Sequence, residues 1–286
     1  MKPPAFDYLR VETVADAFAA FQSQDGDAVY LAGGHSVVPS LNLRLQAPSL
    51  LIDVSAIDEL SGISLQDGWL RVGAMTRHVD VLKDPQISAH APLLQAAAPF
   101  VAHPAIRNRG TIGGSLSLAD PASEFPAAVL ALRAEMEIVS ADGVRRVPAD
   151  GFFVDLFETA MAPGEILKAI WIPPVQPGQV HAFDELARRR GDYAMVGVAV
   201  HGILEADRLS DISVAFFSVG NKPTRASAVE AALNGNAVNP AVISSAQQAL
   251  DQDLDPPDDP QLPATARKHM ARVLLGRTLT KLGAAA

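Results

Sequence analysis

The chain has 286 residues, 49% of them hydrophobic, and a formal net charge of −9. Its acidic character disfavours nucleic acid as a partner, because the phosphate backbone is negatively charged as well. The sequence contains no cysteine, so these residues can form no disulfide, iron–sulfur cluster or zinc–thiolate centre. The first residues lack the apolar core of a signal peptide, and no apolar run reaches the roughly 18 residues of a membrane span. We therefore expect a cytoplasmic protein without a membrane span.

The first 55 residues carry the pattern of a small α/β unit. Thr13 and Asp16 predict a capping box in front of the short helix VADAFAAF. The apolar run AVYLAGG predicts a strand that ends in a glycine turn, and SLLIDVS predicts a second strand.

The next stretch, 56–175, mixes strands, helices and loops. WLRVGAM predicts a strand, and APLLQAAAPFVA predicts a helix that ends before Pro104. AEMEIVS and GVRRVPA predict a hairpin that turns at Asp142-Gly143, and EILKAIWIPP predicts a strand closed by prolines.

The remaining residues, 176–286, begin with three apolar strand patterns, HAFDELARRR, AMVGVAVHGILEAD and DISVAFFSVG. Helical patterns follow, and the last of them places Met270, Val273 and Leu274 on one face. The sequence therefore predicts a third unit made of one sheet and several helices.

Two glycine pairs are the main candidates for a binding site. Gly33-Gly34 follows a predicted strand, and Gly113-Gly114 lies in TIGGS. Either pair alone is more typical of a tight turn than of a ligand site. Both, however, lie beside hydroxyl groups, and glycines that expose successive backbone N–H groups form anion-binding nests. Two such nests predict a diphosphate held between two units. The chain has no G-x-G-x-x-G motif opening a helix and no P-loop motif.

Other polar and aromatic residues near these loops have two readings each. None of the seven histidines has metal-ligand spacing, which predicts no metal site, whereas His35 lies in the glycine loop and can contact a ligand. Asp120 and Glu124 fit turn and helix-cap chemistry around Pro121, or carboxylates that accept hydrogen bonds from a ribose. Tyr193 fits a core aromatic residue of a strand, or an exposed ring that stacks on a flat cofactor.

Four motifs together resemble a known family. LAGGHSVVPSLNLRL, IRNRGTIGGSLSLADPASE, PGEIL and RRRGDYAMVGVAV resemble, in this order, the FAD-binding medium subunit of molybdenum hydroxylases. This family includes the carbon monoxide dehydrogenase flavoprotein and the flavin domain of xanthine dehydrogenase. The resemblance implies an α+β fold: a two-subdomain FAD-binding fold of the vanillyl-alcohol oxidase (PCMH) type, followed by a three-stranded sheet with helices. The implied domains are 1–55, 56–175 and 176–286.

The resemblance also implies a set of FAD-binding residues. The FAD diphosphate would lie at Ala32 to Ser36 and at Thr111 to Ser115, with Glu124 on the ribose and adenine side and Tyr193 beside the isoalloxazine ring. Asp184 stands where xanthine dehydrogenase-like members carry a lysine near the flavin. The full implied set is Leu31, Ala32, Gly33, Gly34, His35, Ser36, Val37, Val101, Ile106, Thr111, Ile112, Gly113, Gly114, Ser115, Ala119, Asp120, Glu124, Leu167, Asp184 and Tyr193.

The function implied by the resemblance is electron transfer through non-covalently bound FAD. A large molybdopterin subunit would hydroxylate the substrate, and a small subunit with two [2Fe–2S] clusters would pass the electrons on. FAD would then deliver them to NAD⁺, a quinone or dioxygen. The implied assembly is a dimer of heterotrimers. The absence of cysteine agrees with clusters that belong to a partner.

Three other functions remain open from the sequence. One is a self-sufficient flavin oxidase of the same superfamily, with FAD attached covalently through His35. Another is a flavin reductase such as the enzyme of peptidoglycan precursor synthesis. The third is a non-catalytic assembly module that has lost its flavin. The intact glycines of both loops argue against this third function.

Overall fold

The computed structural model describes residues 2–260 and 262–284, and its first element is a parallel three-stranded sheet of order β1-β3-β2. Parallel strands need crossover connections, and helices α1 and α2 provide them. Thr13 Oγ1 accepts a hydrogen bond from the backbone N–H of Asp16 at 3.1 Å, so the predicted cap is confirmed. The elements are β1 (Asp7–Arg10), α1 (Val14–Gln22), β2 (Ala28–Leu31), α2 (Val37–Asn42), β3 (Leu50–Asp53) and a 3₁₀ turn (Asp58–Leu60).

The second sheet is antiparallel and has five strands in the order β4-β5-β10-β6-β7. The predicted hairpin is present, with Ser140 paired to Gly143 across its turn. The strands of this region are β4 (Ile63–Gln66), β5 (Trp69–Gly73), β6 (Glu135–Ser140), β7 (Gly143–Pro148), β8 (Phe153–Asp155), β9 (Glu158–Thr159) and β10 (Ile166–Ile172). Its helices are α3 (His78–Lys83), α4 (Pro85–His90), α5 (Pro92–Ala97), α6 (Pro104–Arg107), α7 (Ile112–Leu118), α8 (Glu124–Ala131) and α9 (Ala149–Phe152).

The helix predicted to run up to Pro104 is shorter than expected. Helix α5 ends at Ala97, and Pro104 begins helix α6 instead of ending a helix. Proline lacks an N–H group and restricts the residue before it, so Pro99 ends the helical pattern earlier. The N–H of the first helical residue has no acceptor within the helix, so a proline there loses no hydrogen bond, and Pro104 suits the start of α6.

The C-terminal sheet is antiparallel and has four strands rather than three. The additional strand is only two residues long, too short for an alternating pattern to reveal it in the sequence. Residues 240–253 and 264–284 form the two longest helices. The elements are β11 (Gln179–Ala187), β12 (Ala194–Glu205), β13 (Arg208–Phe217), β14 (Thr224–Arg225), α10 (Ser227–Leu233), α11 (Pro240–Asp253) and α12 (Ala264–Ala284).

Both faces of the C-terminal sheet are covered by other elements, and one of the two faces joins this sheet to the preceding region. One face contributes Ala199, Ala215 and Phe217 to the apolar core that also holds helices α5 and α8. The other face packs against α10, α11 and α12. The ring of Phe217 occupies the space beside Gly197, where a methyl group would lie only 1.9 Å from it. The C-terminal sheet and the second sheet therefore share one continuous core.

The predicted apolar face of helix α12 is confirmed at Met270 and Leu274 but not at Val273. Leu274 is fully buried and Met270 packs against the core, but Val273 is 40% exposed. Within residues 2–260 and 262–284, no helix is both long enough and apolar enough to cross a lipid bilayer.

Candidate functional site

The first glycine loop follows β2 and touches the second glycine region directly. A methyl group on Gly33 would lie 2.5 Å from the carbonyl oxygen of Arg109 and 2.8 Å from the Cα atom of Gly110. Real Cβ atoms do not approach backbone so closely, so glycine is required at 33 for the two loops to meet. Gly34 has φ of +78°, a left-handed conformation that glycine adopts without strain.

The first loop has the free donors that an anion-binding nest needs. Among the described residues, no acceptor bonds the backbone N–H groups of Gly33, Gly34 and His35. His35 and Ser36 are exposed, and the two glycines are partly exposed. Free backbone N–H groups on three consecutive residues suit a diphosphate, since hydrogen bonds to charged oxygens are the stronger ones.

The second loop is built differently. Thr111 Oγ1 accepts from the N–H of Gly114 at 3.1 Å and so caps helix α7. The N–H groups of Ile112 and Gly113 donate to the carbonyls of Thr76 and Ala74, both at 2.9 Å. The prediction of a second nest of free N–H groups is therefore wrong: the N–H groups of residues 112–115 are used inside the chain.

The second loop can contact a ligand through the exposed surface of Gly114 and the hydroxyl group of Ser115. Gly114 is exposed, and the nearest atom to a methyl group there is Thr111 Oγ1 at 2.9 Å. Gly113 faces inward, where a methyl group would lie 2.4 Å from the Cβ atom of Ala74. Ser115 is partly exposed. The two adjacent glycines therefore serve different purposes, one for packing and the other for access.

A buried histidine that the sequence did not single out supports this loop. His78 is 6% exposed, donates its backbone N–H to the carbonyl of Gly110 at 2.9 Å, and places its ring edge-on to Phe125. Burial lowers the pKa of its ring to about 4, so the ring is neutral at pH 7. Its signal in the sequence, a lone histidine after a strand, is too common to be specific.

Acidic residues and Tyr193 gather near the end of helix α7. Tyr193 precedes β12 and is 71% exposed, so it is not the core aromatic of a strand. Partial desolvation, followed by the nearby charge of Asp120, raises the pKa of the Tyr193 phenol. Asp120 also accepts from the N–H of Ala122 at 2.9 Å. Glu124, at the start of α8, is 8% exposed, and burial raises its pKa to about 7.

Asp184 does not lie with these residues. Neighbouring side chains of a strand point to opposite faces, and Asp184 lies on the face of β11 that packs against α12. It accepts from Lys281 Nζ at 2.9 Å and lies 3.7 Å from Arg277. The residue on the other face is Glu185, which the sequence prediction did not include.

The other predicted residues flank the two loops or lie in the core beneath them. Leu31 ends β2, with Ala32 after it, and Val37 begins α2. Arg107 donates to the carbonyl of Val101 at 2.9 Å, and the carbonyl of Ile106 accepts from Gly110 at 2.8 Å. These two hydrogen bonds therefore fix the backbone of the residues that precede the second loop. Ala119 ends α7 with φ of +53°, and Leu167 is buried in β10, against which α7 packs.

The sequence matches two family profiles that together cover nearly the whole chain. Residues 4–175 match the FAD binding domain in molybdopterin dehydrogenase, and residues 181–282 match the CO dehydrogenase flavoprotein C-terminal domain. The chain belongs to the FAD-binding medium subunits of molybdenum hydroxylases. These subunits are flavoprotein components of oxidoreductases, and FAD is their cofactor.

Relatives of this medium subunit span its full length. It is 37% identical to the 6-hydroxypseudooxynicotine dehydrogenase complex subunit alpha of Paenarthrobacter nicotinovorans, over 98% of this chain and 95% of the relative. It is 34% identical to the carbon monoxide dehydrogenase medium chain of Hydrogenophaga pseudoflava, over 98% and 97%. A solved structure of that carbon monoxide dehydrogenase, which lacks the Mo-pyranopterin moiety, superposes with a TM-score of 0.96 at 36% identity, covering 99% of both chains.

The medium subunit's own residues fit FAD. The free N–H groups of the first loop suit the diphosphate, and the exposed surface of Gly114 permits close approach of a ligand. The exposed ring of Tyr193 offers a flat face beside an acidic cluster that can accept hydrogen bonds from hydroxyl groups.

Proposed function

We propose that this chain holds FAD non-covalently and is the electron-transfer subunit of a molybdenum hydroxylase. In this role it takes electrons from an iron–sulfur subunit and delivers them to NAD⁺, a quinone or dioxygen. The observation that supports it most is the pair of touching loops, with free N–H groups in the first and an exposed glycine in the second. FAD, when bound, accepts electrons singly and releases them in pairs.

The chain's residues would hold the cofactor by three kinds of contact. Gly33, Gly34 and His35 would donate their backbone N–H groups to the diphosphate. The hydroxyl of Ser115 would add a donor from the second loop, while Thr111 is already occupied in capping α7. Tyr193 would cover one face of the isoalloxazine ring. Buried His78, neutral at pH 7, would fix the position of the second loop through Gly110.

The partners in this proposal are a molybdopterin-binding large subunit and a [2Fe–2S] small subunit, assembled as a dimer of heterotrimers. The full-length relatives support it, since they are described as a complex subunit and a medium chain. The sequence of 286 residues contains no cysteine with which to bind a cluster of its own. The enzyme that contains this chain would work in the cytoplasm.

The competing function is a self-sufficient oxidase with FAD linked to His35, which is exposed and directly follows Gly34. Expression of the chain with and without its partner subunits separates the two functions. The isolated chain should bind FAD and be reduced by dithionite, but stay oxidised with organic substrates of molybdenum hydroxylases. Rapid flavin reduction by such a substrate in the isolated chain would contradict the proposal and favour the oxidase.

A further inference from the structure

Two carboxyl groups, Glu124 buried and Glu185 half-buried, lie where the C-terminal sheet packs against the FAD-binding fold. Glu185 lies on the face of β11 that carries Phe183, and it pairs across the sheet with Gly197. The ring of Phe183 stacks on Phe217 and packs against the core that contains helix α8. Glu124 is the first residue of that helix.

Among residues 2–260 and 262–284, no other residue stabilises the charge of either carboxyl group. Glu185 Oε2 is fully buried and has no hydrogen-bond partner among the described residues. The Glu124 side chain is more than nine-tenths buried, and within 2–260 and 262–284 only its own backbone N–H stabilises its charge. The other charged groups that act on the pair are Asp120 from the loop after α7 and Asp184 on the same strand, both acidic.

Burial in such surroundings favours the protonated form of both groups and raises their pKa values toward neutral pH. Desolvation is the main cause for both residues and raises the pKa of Glu124 to about 7. It raises the pKa of Glu185 to about 8, with further contributions from Glu124 and Asp184. Because the two groups interact, protons leave the pair rather than either residue alone.

The position of the pair connects it with the cofactor site. The backbone places Glu185 beside the start of α8: Glu185 pairs with Gly197, which pairs with Phe217, and the N–H of the next residue, Ser218, donates to the carbonyl of Pro121 at 2.8 Å. Asp120, whose charge acts on both Glu124 and Tyr193, follows helix α7, which leads from the second glycine loop. We propose that Glu185 is a further residue of the FAD site, and that with Glu124 it presents a carboxyl group to the hydroxyl groups of the cofactor. This inference rests on the proposed binding of FAD by these loops.

The carboxyl pair and the cofactor have complementary hydrogen-bonding groups. A protonated carboxyl group donates a hydrogen bond through one oxygen and accepts through the other, which matches the hydroxyl groups of a sugar or sugar alcohol. An ionised pair would instead repel the anionic diphosphate held nearby. The bound dianion favours the protonated pair for the same reason, so FAD binding takes up protons.

The sign of the pH effect follows from this linkage. Affinity for FAD is full below the pKa values of the unliganded pair, about 7 and about 8, and decreases as pH rises through them. With one linked proton, the decrease approaches about tenfold per pH unit.

The test is FAD binding by the full chain, in whichever complex it purifies, after removal of bound flavin. The dissociation constant is measured between about pH 6 and about pH 9, which brackets the two pKa values. Calorimetry in two buffers of different ionisation enthalpy measures the proton uptake. Glu185→Gln keeps the shape of the side chain and removes its proton. Glu205→Gln, the same change at an exposed residue of β12, is the matched control.

We expect proton uptake by the wild type, a flatter pH dependence in Glu185→Gln, and an unchanged dependence in Glu205→Gln. Glu124→Gln should flatten it as well, which keeps the test decisive if one variant misfolds. The proposal is overturned if the wild type takes up no protons, or if folded Glu185→Gln keeps the wild-type slope. In both cases FAD still binds, whereas absence of binding at every pH would overturn the proposed function together with this inference.

Discussion

Gly113 and Gly114 are adjacent, yet the structure predicts opposite consequences for their substitution. In Gly113→Ala the new methyl group lies 2.4 Å from Ala74 Cβ and 2.6 Å from the Ala74 carbonyl oxygen. In Gly114→Val the nearest neighbour of the new Cβ atom is Thr111 Oγ1 at 2.9 Å, and the residue is exposed. The first change should damage the fold, and the second should damage FAD binding.

The expected sizes follow from these contacts. Overpacking costs about 1–3 kcal/mol, and backbone cannot rotate away from the clash at Gly113 as a side chain could. Contacts this short place the cost at the upper end, about 3 kcal/mol, and higher helix propensity returns up to about 1 kcal/mol, which leaves a net loss of at least about 2 kcal/mol. For Gly114→Val, strain in the Thr111 cap costs at most about 1–2 kcal/mol and is partly offset by propensity.

The loss of FAD by Gly114→Val should be much larger than its loss of stability. A branched side chain on this surface keeps the diphosphate from its donors, and a hydrogen bond to a charged group is worth about 1.5–3 kcal/mol. Loss of one such bond alone weakens binding by about tenfold to a hundredfold.

Two measurements on each variant test this reasoning: denaturant unfolding without FAD, and the ratio of bound FAD to protein. Gly220→Ala is the control, because nothing lies within 4 Å of the added methyl group. We expect it to match the wild type in both measurements. Full flavin content in Gly114→Val would show that the second loop is only a turn, and wild-type stability in Gly113→Ala would refute the packing argument.

Three further results are expected. Acid precipitation should leave a colourless pellet and a yellow supernatant, because FAD is proposed to be non-covalent; a pellet that stays yellow would favour attachment to His35. Tyr193→Ala should change unfolding free energy by less than about 0.5 kcal/mol, since the ring is 71% exposed, but should alter the absorption spectrum of bound flavin; an unchanged spectrum would remove Tyr193 from the site. Without FAD, the wild type should lose stability as pH rises, because the pKa of Glu124 is about 7 in the folded state and 4.5 in the unfolded state, and Glu124→Gln should lose less. Between these pH values the unfolded state releases the proton of Glu124 first, so the unfolding free energy of the wild type falls by up to about 3 kcal/mol as pH rises. Identical unfolding curves of the two proteins across this range would contradict the burial argument.

The elements with strong local signals could be predicted from the sequence. The cap at Thr13, the hairpin near Asp142 and the strand that ends in prolines all depend on residues close in sequence. The two-residue strand β14 could not be predicted, because its pairing with β13 depends on a neighbour rather than on a pattern.

The site was harder to predict than the fold for a related reason. The glycine pairs indicate where loops approach a ligand or each other, but only the structure shows that Gly33 and Gly113 pack against the chain itself. Strand β11 carries polar residues on both faces, so the sequence could not show whether Asp184 or Glu185 faces the FAD-binding fold. Free and occupied N–H groups also look identical in sequence, which is why a second nest was expected.

The central claim is that electrons pass through the FAD of this chain on their way from the substrate to the acceptor. The most direct measurement uses the whole complex assembled with Gly114→Val, compared with the wild-type complex. Spectroscopy follows the partner's iron–sulfur clusters under anaerobic conditions after substrate is added, and a parallel assay measures acceptor reduction. We predict that substrate still reduces the clusters of the flavin-free complex while acceptor reduction is lost. Acceptor reduction at the wild-type rate without FAD would contradict this function for the chain.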